Sequence, residues 1–329
     1  MSKHQDKSAG TADVGQLSIE AGHGIVAIDT GFIRPGFDAS HLIVENGHAA
    51  FIDAGLNSSV PALLDGLQRS GLEREAVDWL ILTHVHLDHA GGAGCLLAEL
   101  PRARVWMHPR GIRHMVDPSA LMAGAAAVYG VEEVRRIYGE LLPIPSERIV
   151  AAHEGDTIEL AGRPLLALDT PGHARHHICI RDATSNSFFA GDTFGLSYRE
   201  FDTPQGAWIM PPTTPIQFDP DAWCRSIERM LEYAPTSMYL THYSRIGDVP
   251  RVASELLRQI RDLARIALDL RAAPQRHQRL CSELRSYFLD RLRVHGCTLG
   301  ETRIDSLLAM DIELNAQGLG VWLDRSATP

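Results

Sequence analysis

Trp79-Leu80-Ile81-Leu82-Thr83-His84-Val85-His86-Leu87-Asp88-His89-Ala90-Gly91-Gly92 is the stretch on which the reading of this chain turns. Its first half is a short apolar run of the kind that forms a strand buried on both faces. Its second half places four ligand-type side chains within six residues, from His84 to His89. On a continuing strand His84, His86 and Asp88 would share one face and His89 would take the other. A turn beginning near Leu87 releases the backbone from that period and lets all four converge. Imidazoles and a carboxylate gathered where a strand leaves a sheet are the chemistry of a divalent-metal site. A histidine-rich surface loop is the bland alternative, and its position behind a buried strand argues against it.

The same placement recurs downstream. His173 ends Thr170-Pro171-Gly172-His173, Asp192 follows Phe189-Ala190-Gly191, and His242 follows Leu240-Thr241. Each has an ordinary reading when taken alone: a turn residue, a helix N-cap and a hydrogen-bonded core histidine. Taken with the first cluster, they complete a ligand set.

The order HxHxDH, then His, then Asp, then His resembles the signature of the metallo-β-lactamase superfamily, in particular its glyoxalase II and acyl-homoserine-lactonase branches. The resemblance runs from about Gly24 to His242 and includes the aspartate of Phe51-Ile52-Asp53-Ala54-Gly55. It implies an α/β (α+β) fold, a four-layer αββα sandwich with the site at one edge of two sheets. Carried onto this chain, it implies that His84, His86 and His173 bind one metal. Asp88, His89 and His242 would bind a second, and Asp192 would bridge the two. Asp53 would stand behind the ligands and orient them, with Thr83 and Thr241 as possible helpers. The donors are all nitrogen and oxygen, which suits zinc and also iron or manganese.

Such a pair of metals lowers the pKa of a bound water and supplies hydroxide near neutral pH. The expected reaction is attack on an ester, thioester or lactone carbonyl, with Asp88 passing a proton to the leaving group. The chain departs from both branches in detail. The lactonase tyrosine three residues after the bridging aspartate is replaced by Gly195, and no clear match to the basic C-terminal glutathione-binding residues of glyoxalase II is present. A substrate pocket lined by Tyr198, Phe201, Trp208 and Met210 is expected from the aromatic, aperiodic stretch between Gly195 and Phe218. Met115, Met122 and Tyr129, from a helical insert, are expected to contribute, with ordinary core positions as the competing reading.

The remaining sequence supplies the frame. His41-Leu-Ile-Val-Glu45 and Ala49-Ala-Phe-Ile-Asp53 flank Asn46-Gly47, a hairpin signal. Residues 1–15 read as a flexible leader, 16–250 as the catalytic domain, and 251–329 as a helical C-terminal extension. That extension could cap the pocket, form a homodimer interface or merely pack.

Composition bounds the function. There are 31 Lys plus Arg against 41 Asp plus Glu, a formal net charge of -10. Such a balance disfavours nucleic acid as a partner, and neutral or apolar small molecules suit it better. Five scattered cysteines without a CxxC pair read as reduced thiols, no apolar run is long enough to span a bilayer, and the polar N-terminus has no apolar core. A cytoplasmic protein without membrane contact is expected. Three rivals share the scaffold: a mononuclear-iron enzyme like the persulfide dioxygenases, a regulatory protein that binds a small molecule, and a nucleic-acid-processing member, the weakest given the net charge of -10.

Overall fold

The computed structural model describes residues 18–20, 22–213 and 217–326. The leader read at residues 1–15 lies outside them. Two sheets face each other. The first contains β1 (Ser18–Glu20), β2 (Ile25–Asp29), β3 (Ala39–Glu45), β4 (His48–Ile52), β5 (Val77–Leu82), β6 (Arg104–Met107) and β7 (Ile149–Ala151), in that spatial order. The second contains β8 (Thr157–Leu160), β9 (Arg163–Asp169), β10 (Ile178–Asp182), β11 (Ser187–Gly191), β12 (Ser237–Leu240) and β13 (Ser244–Ile246), also in sequential order.

Strand alternation sorts the core into layers. Ile52, Ile81, Trp106, Ile178, Ile180, Phe189 and Tyr239 fill the space between the sheets. Their strand neighbours point outward: Phe51, Leu80 and Val105 on one side, Cys179, Phe188 and Met238 on the other. A period of two with both faces apolar requires helices on both outer faces. On the first sheet these include α1 (Val60–Arg69), the short α2 (Leu87–Ala90), and α3 (Ala93–Glu99). The helical insert expected around Met115, Met122 and Tyr129 forms α4 (Pro109–Val116), α5 (Ser119–Tyr129) and α6 (Val131–Tyr138).

The second sheet is covered by α7 (Pro220–Leu231), α8 (Val249–Asp269), α9 (Arg276–Val294) and α10 (Glu301–Ser326). Leu256, Ile260, Leu284, Phe288, Leu308 and Leu319 join the same apolar cluster as Phe188 and Met238. The C-terminal helices therefore share one core with the second sheet. The molecule is an α/β sandwich of helices, sheet, sheet and helices. Among the described residues no helix is long and apolar enough to cross a membrane.

The Asn46-Gly47 turn joins β3 to β4 with both residues at positive φ, as a two-residue hairpin demands. Strands β4, β5 and β6 run parallel, so their C-terminal ends lie together. Strands β11 and β12 are likewise parallel. The two sheets are joined at that edge: the Ile178 N–H donates to the Thr83 carbonyl at 2.8 Å, and Ala39 N–H to the Thr241 carbonyl at 2.9 Å. Every residue that follows a strand at this edge thus reaches one small volume.

Candidate metal centre

His84 follows β5, His173 follows β9, Asp192 follows β11 and His242 follows β12. The turn expected near Leu87 is α2, one helical turn that swings Asp88 and His89 back over the strand ends. The ligand-capable atoms of His84, His86, His173 and Asp192 lie within 4.8 Å of one another. Those of Asp88, His89 and His242 form a second such group. Asp192 stands between them. Its Oδ2 is 3.5 Å from His173 Nε2, while its Oδ1 is 3.5 Å from His89 Nε2 and 3.9 Å from His242 Nε2.

The outer nitrogens explain why the inner ones converge. Asp53, held at φ 60 just after β4, accepts from the Thr83 N–H at Oδ1 and from the Thr83 hydroxyl at Oδ2, both at 2.8 Å. Its Oδ2 also accepts from Thr241 Oγ1 at 3.2 Å and from His89 Nδ1 at 3.3 Å. With its own proton directed to Asp53, the Thr83 hydroxyl accepts from His84 Nδ1 at 3.1 Å. His173 Nδ1 donates to the Pro212 carbonyl, and His242 Nδ1 to the Phe37 carbonyl, each at 2.8 Å. Four imidazoles thereby give their N–H away from the centre and turn Nε2 inward. His86 is reversed, its Nδ1 lying 2.9 Å from His84 Nε2 and 3.1 Å from His173 Nε2.

Two glycines make room for this packing. A Cβ on Gly172 would sit 2.3 Å from the Trp223 backbone, and Trp223 itself packs edge-on against His173. A Cβ on Gly191 would sit 2.5 Å from His177 Nε2.

The donor set fits metal ions on its own evidence. His89 Nε2 and Asp192 Oδ1 are buried without a hydrogen-bond partner. Orphaned buried donors and acceptors of this kind are costly unless something is bound between them. Burial, followed by neighbouring imidazoles, holds His84 and His86 well below the usual histidine range, so both are neutral and able to ligate. Burial opposes charge on His242 too, but Asp192 and Asp88 outweigh it and raise this group to about 9. Among the seven, only His86 and Asp88 are partly exposed, which places the opening of the site beside them.

Sequence reading overlooked two participants. His177 accepts from the Asp192 N–H at 3.2 Å, and its ring stacks 4.8 Å from His84. Asp38 is fully buried, accepts from Thr30 Oγ1 at 2.7 Å, and is raised to about 7 by burial against the counterpull of His242 and His89. The available signal was polar: His176-His177 opening an apolar strand, and Asp38 with Ser40 and His41 in another.

The aromatic pocket expected from Gly195–Phe218 is not where the sequence put it. Phe201, Trp208 and Met210 lie in the apolar core beneath the C-terminal helices; Trp208 is edge-on to both Phe201 and Phe288. Burying these rings under α9 removes more apolar surface from water than a pocket wall would. Tyr198 is also buried, but adjoins the site: it stacks 5.4 Å from Phe37, whose ring meets His242 edge-on at 5.1 Å. Its hydroxyl donates to Asp311 Oδ1 at 3.0 Å, so it is not free for a substrate. Met115 is core beneath the first sheet, Met122 is half-buried, and the Tyr129 side chain lies outside the described residues.

A family model, the Metallo-beta-lactamase superfamily, matches residues 33–242. This chain belongs to the metallo-β-lactamase superfamily. Its relatives include the metallo-beta-lactamase fold-containing protein ST1585 of Sulfurisphaera tokodaii, 25% identical over 225 residues, covering 67% of this chain and 77% of that protein. A hydroxyacylglutathione hydrolase of Stenotrophomonas maltophilia is 32% identical over 152 residues, 46% of this chain and 44% of that protein. The crystal structure of a metallo-beta-lactamase family protein from Thermus thermophilus, TTHA1429, matches with a TM-score of 0.64 at 21% identity, covering 92% of this chain and 94% of that one. So wide a cover extends the likeness in fold past residue 242 into the C-terminal helices. The superfamily fold, its metal dependence and the His/Asp cluster therefore coincide in this molecule.

Proposed function

We propose that this protein is a hydrolase that uses two divalent metal ions to cleave an ester, thioester or lactone. The observation that carries the reading is the position of Asp192, whose two carboxylate oxygens face two separate groups of ligand-capable side chains. His84, His86 and His173 would hold one ion, Asp88, His89 and His242 the other, and Asp192 both. Zinc suits this all-nitrogen-and-oxygen set, as do iron and manganese. Bound there, such ions supply Lewis acidity and acidify water enough to give a nucleophile near neutral pH.

The protein's own groups do the remainder. Burial penalises the Asp88 carboxylate, but His89 and His242 outweigh it and keep it ionised at the opening of the site. An ionised carboxylate in that place can take a proton and return it to a departing alkoxide or thiolate. Asp53, directly and through Thr83, fixes the tautomers of His89 and His84, the Pro212 and Phe37 carbonyls fix those of His173 and His242, and the strand ends hold the geometry without reorganisation during reaction. The second group, complete in this chain, favours two ions over the single iron of a dioxygenase-like enzyme. The hydrolase name borne by the Stenotrophomonas relative supports the reaction class.

Metal analysis of the purified protein, followed by a panel of lactones, thioesters, aryl esters and phosphodiesters, tests the proposal. Expected are about two ions per chain and turnover of acyl substrates that a chelator abolishes. Turnover confined to phosphodiesters, or undiminished in metal-free protein, would overturn it.

A further inference from the structure

The opening of the site has two unlike walls. On the His86 side, His176 lies 5.8 Å ring to ring from His86, and His114 lies 6.5 Å from His176. Three exposed arginines, Arg110, Arg113 and Arg175, belong to the segments that carry these rings. Arg175 directly precedes His176 in the chain, Arg110 donates from Nη1 to the Arg175 carbonyl at 3.2 Å, and Arg113 donates from Nε to His114 Nε2 at 3.3 Å. Among the described residues none of the three forms an ion pair with a carboxylate. The nearby Asp169 is engaged by His108 at 3.4 Å.

On the His242 side the wall is aromatic, and the Arg34 guanidinium on it lies over Phe37 at 5.5 Å and Tyr198 at 4.7 Å with its charge paired to Glu200 at 2.6 Å. Phe37 meets His242, Phe32 meets Phe37 at 5.6 Å, and Tyr138 of α6 meets Phe32 at 6.4 Å. Ile33 follows Phe32 in the chain and is 54% exposed. A chain with a net charge of -10 has thus collected unpaired positive charge at one lip of its opening and aromatic surface at the other. Charge lining a cleft attracts ligands of opposite sign and orients them as they enter.

We infer that the substrate is amphipathic and anionic: its carboxylate or phosphate groups rest on Arg110, Arg113 and Arg175, and its apolar part on Phe32, Ile33 and Tyr138. This deepens the hydrolase reading and rests on it for the word substrate. It also revises the expectation of neutral substrates drawn from overall composition, because the net charge of a chain says nothing about a patch of three residues. Planar guanidiniums suit both anions, through paired hydrogen bonds.

The test uses the metal-loaded protein and three thioesters with the same acyl chain. Their thiols are N-acetylcysteamine, which is neutral, glutathione, which carries carboxylates, and coenzyme A, which carries phosphates. The wild type is expected to prefer one or both anionic thioesters in kcat/KM, and the preference to fall about tenfold in Arg175→Gln and further in Arg110→Gln with Arg113→Gln. Which anionic thioester loses more identifies carboxylate or phosphate as the recognised group. Arg279→Gln, an exposed change on α9, controls for net charge. An undiminished preference in the site variants, or an equal loss in Arg279→Gln, overturns the inference. Calorimetric binding of the matching S-alkyl thioethers needs no turnover and separates the two readings. Arginine-dependent binding with no hydrolysis of any thioester, nor of the lactones and aryl esters of the panel above, would retain the anion site and sink the hydrolase. Hydrolysis with no arginine-dependent preference would do the reverse.

Discussion

Asn315, on the last helix, clamps Thr213, the neighbour of the residue whose carbonyl aims His173. Its side-chain Oδ1 accepts from both the Thr213 N–H and, at 2.9 Å, the Thr213 hydroxyl, which also reaches the Asn315 carbonyl at 3.1 Å. One residue earlier, the Pro212 carbonyl accepts from His173 Nδ1. A helix a hundred residues downstream of Thr213 therefore braces the residue next to the carbonyl that accepts from His173 Nδ1. Removing partners that stand behind a ligating histidine typically costs roughly 10–100-fold in metal affinity or activity. Asn315→Ala should lower kcat and metal affinity by an amount in that range, and stability by about 1–3 kcal/mol through the exposed Thr213 groups. Metal titration beside a thermal melt checks both; a variant that melts earlier yet binds metal and turns over normally would show that the clamp is structural only.

Asp192 faces both groups of ligand-capable side chains. Asp192→Ala should abolish turnover and reduce bound metal by at least one ion per chain. Chelator-treated wild type should regain stability on addition of metal, since a ligand that binds only the folded state adds about 2.7 kcal/mol at a hundred times its Kd. The variant should gain less at the same concentration. Equal metal-induced shifts in melting temperature would remove Asp192 from the site.

Stability should fall with acid below neutrality, in part because of His41. This side chain sits on β3 between the sheets, against Phe189 and Tyr239, with Nε2 unpartnered, and burial lowers it to about 3. The unfolded chain protonates it near 6.5, so between those values unfolding takes up a proton. The stabilising effect of high pH is complete above 6.5 and is lost as pH falls toward 3. At pH 5 the loss from this one group is about 2 kcal/mol. Urea unfolding of wild type and His41→Leu at pH 5 and pH 8 should show a smaller pH difference in the variant. An unchanged difference would rule out His41 as a contributor.

Arg163 and Asp182 form a buried bidentate pair between β9 and β10, with Nε to Oδ1 at 3.0 Å and Nη2 to Oδ2 at 2.5 Å. Arg163 also donates to the His23 carbonyl at 2.7 Å, tying the second sheet to the first. Arg163→Leu strands a buried carboxylate and should cost about 3–5 kcal/mol, while Arg163→Leu with Asp182→Leu should recover much of it. Additive losses in the double variant would contradict the pairing.

The cluster from His84 to His89, the hairpin at Asn46-Gly47 and the strand that leads into that cluster were legible because each is written in residues close together. Local spacing decides whether His84, His86 and Asp88 can converge, and strand alternation decides which faces are buried. The reading failed at Phe201, Trp208 and Met210 because an aromatic in an irregular stretch looks the same whether it meets substrate or a helix from the C-terminus. His177 and Asp38 escaped because a buried polar residue is recognised by its partners, which lie on other strands.

By itself, then, the sequence pointed to the superfamily, to the clustered His84, His86, Asp88 and His89, and to the strand that precedes them. Those follow from short-range order along the chain. Tertiary structure alone decided that Asp192 stands between two groups, that α10 clamps the residue next to Pro212, and that Arg110 meets the Arg175 carbonyl. These depend on contacts between residues tens to more than a hundred positions apart. Such contacts are fixed by how the sheets and helices pack, and no local pattern encodes them.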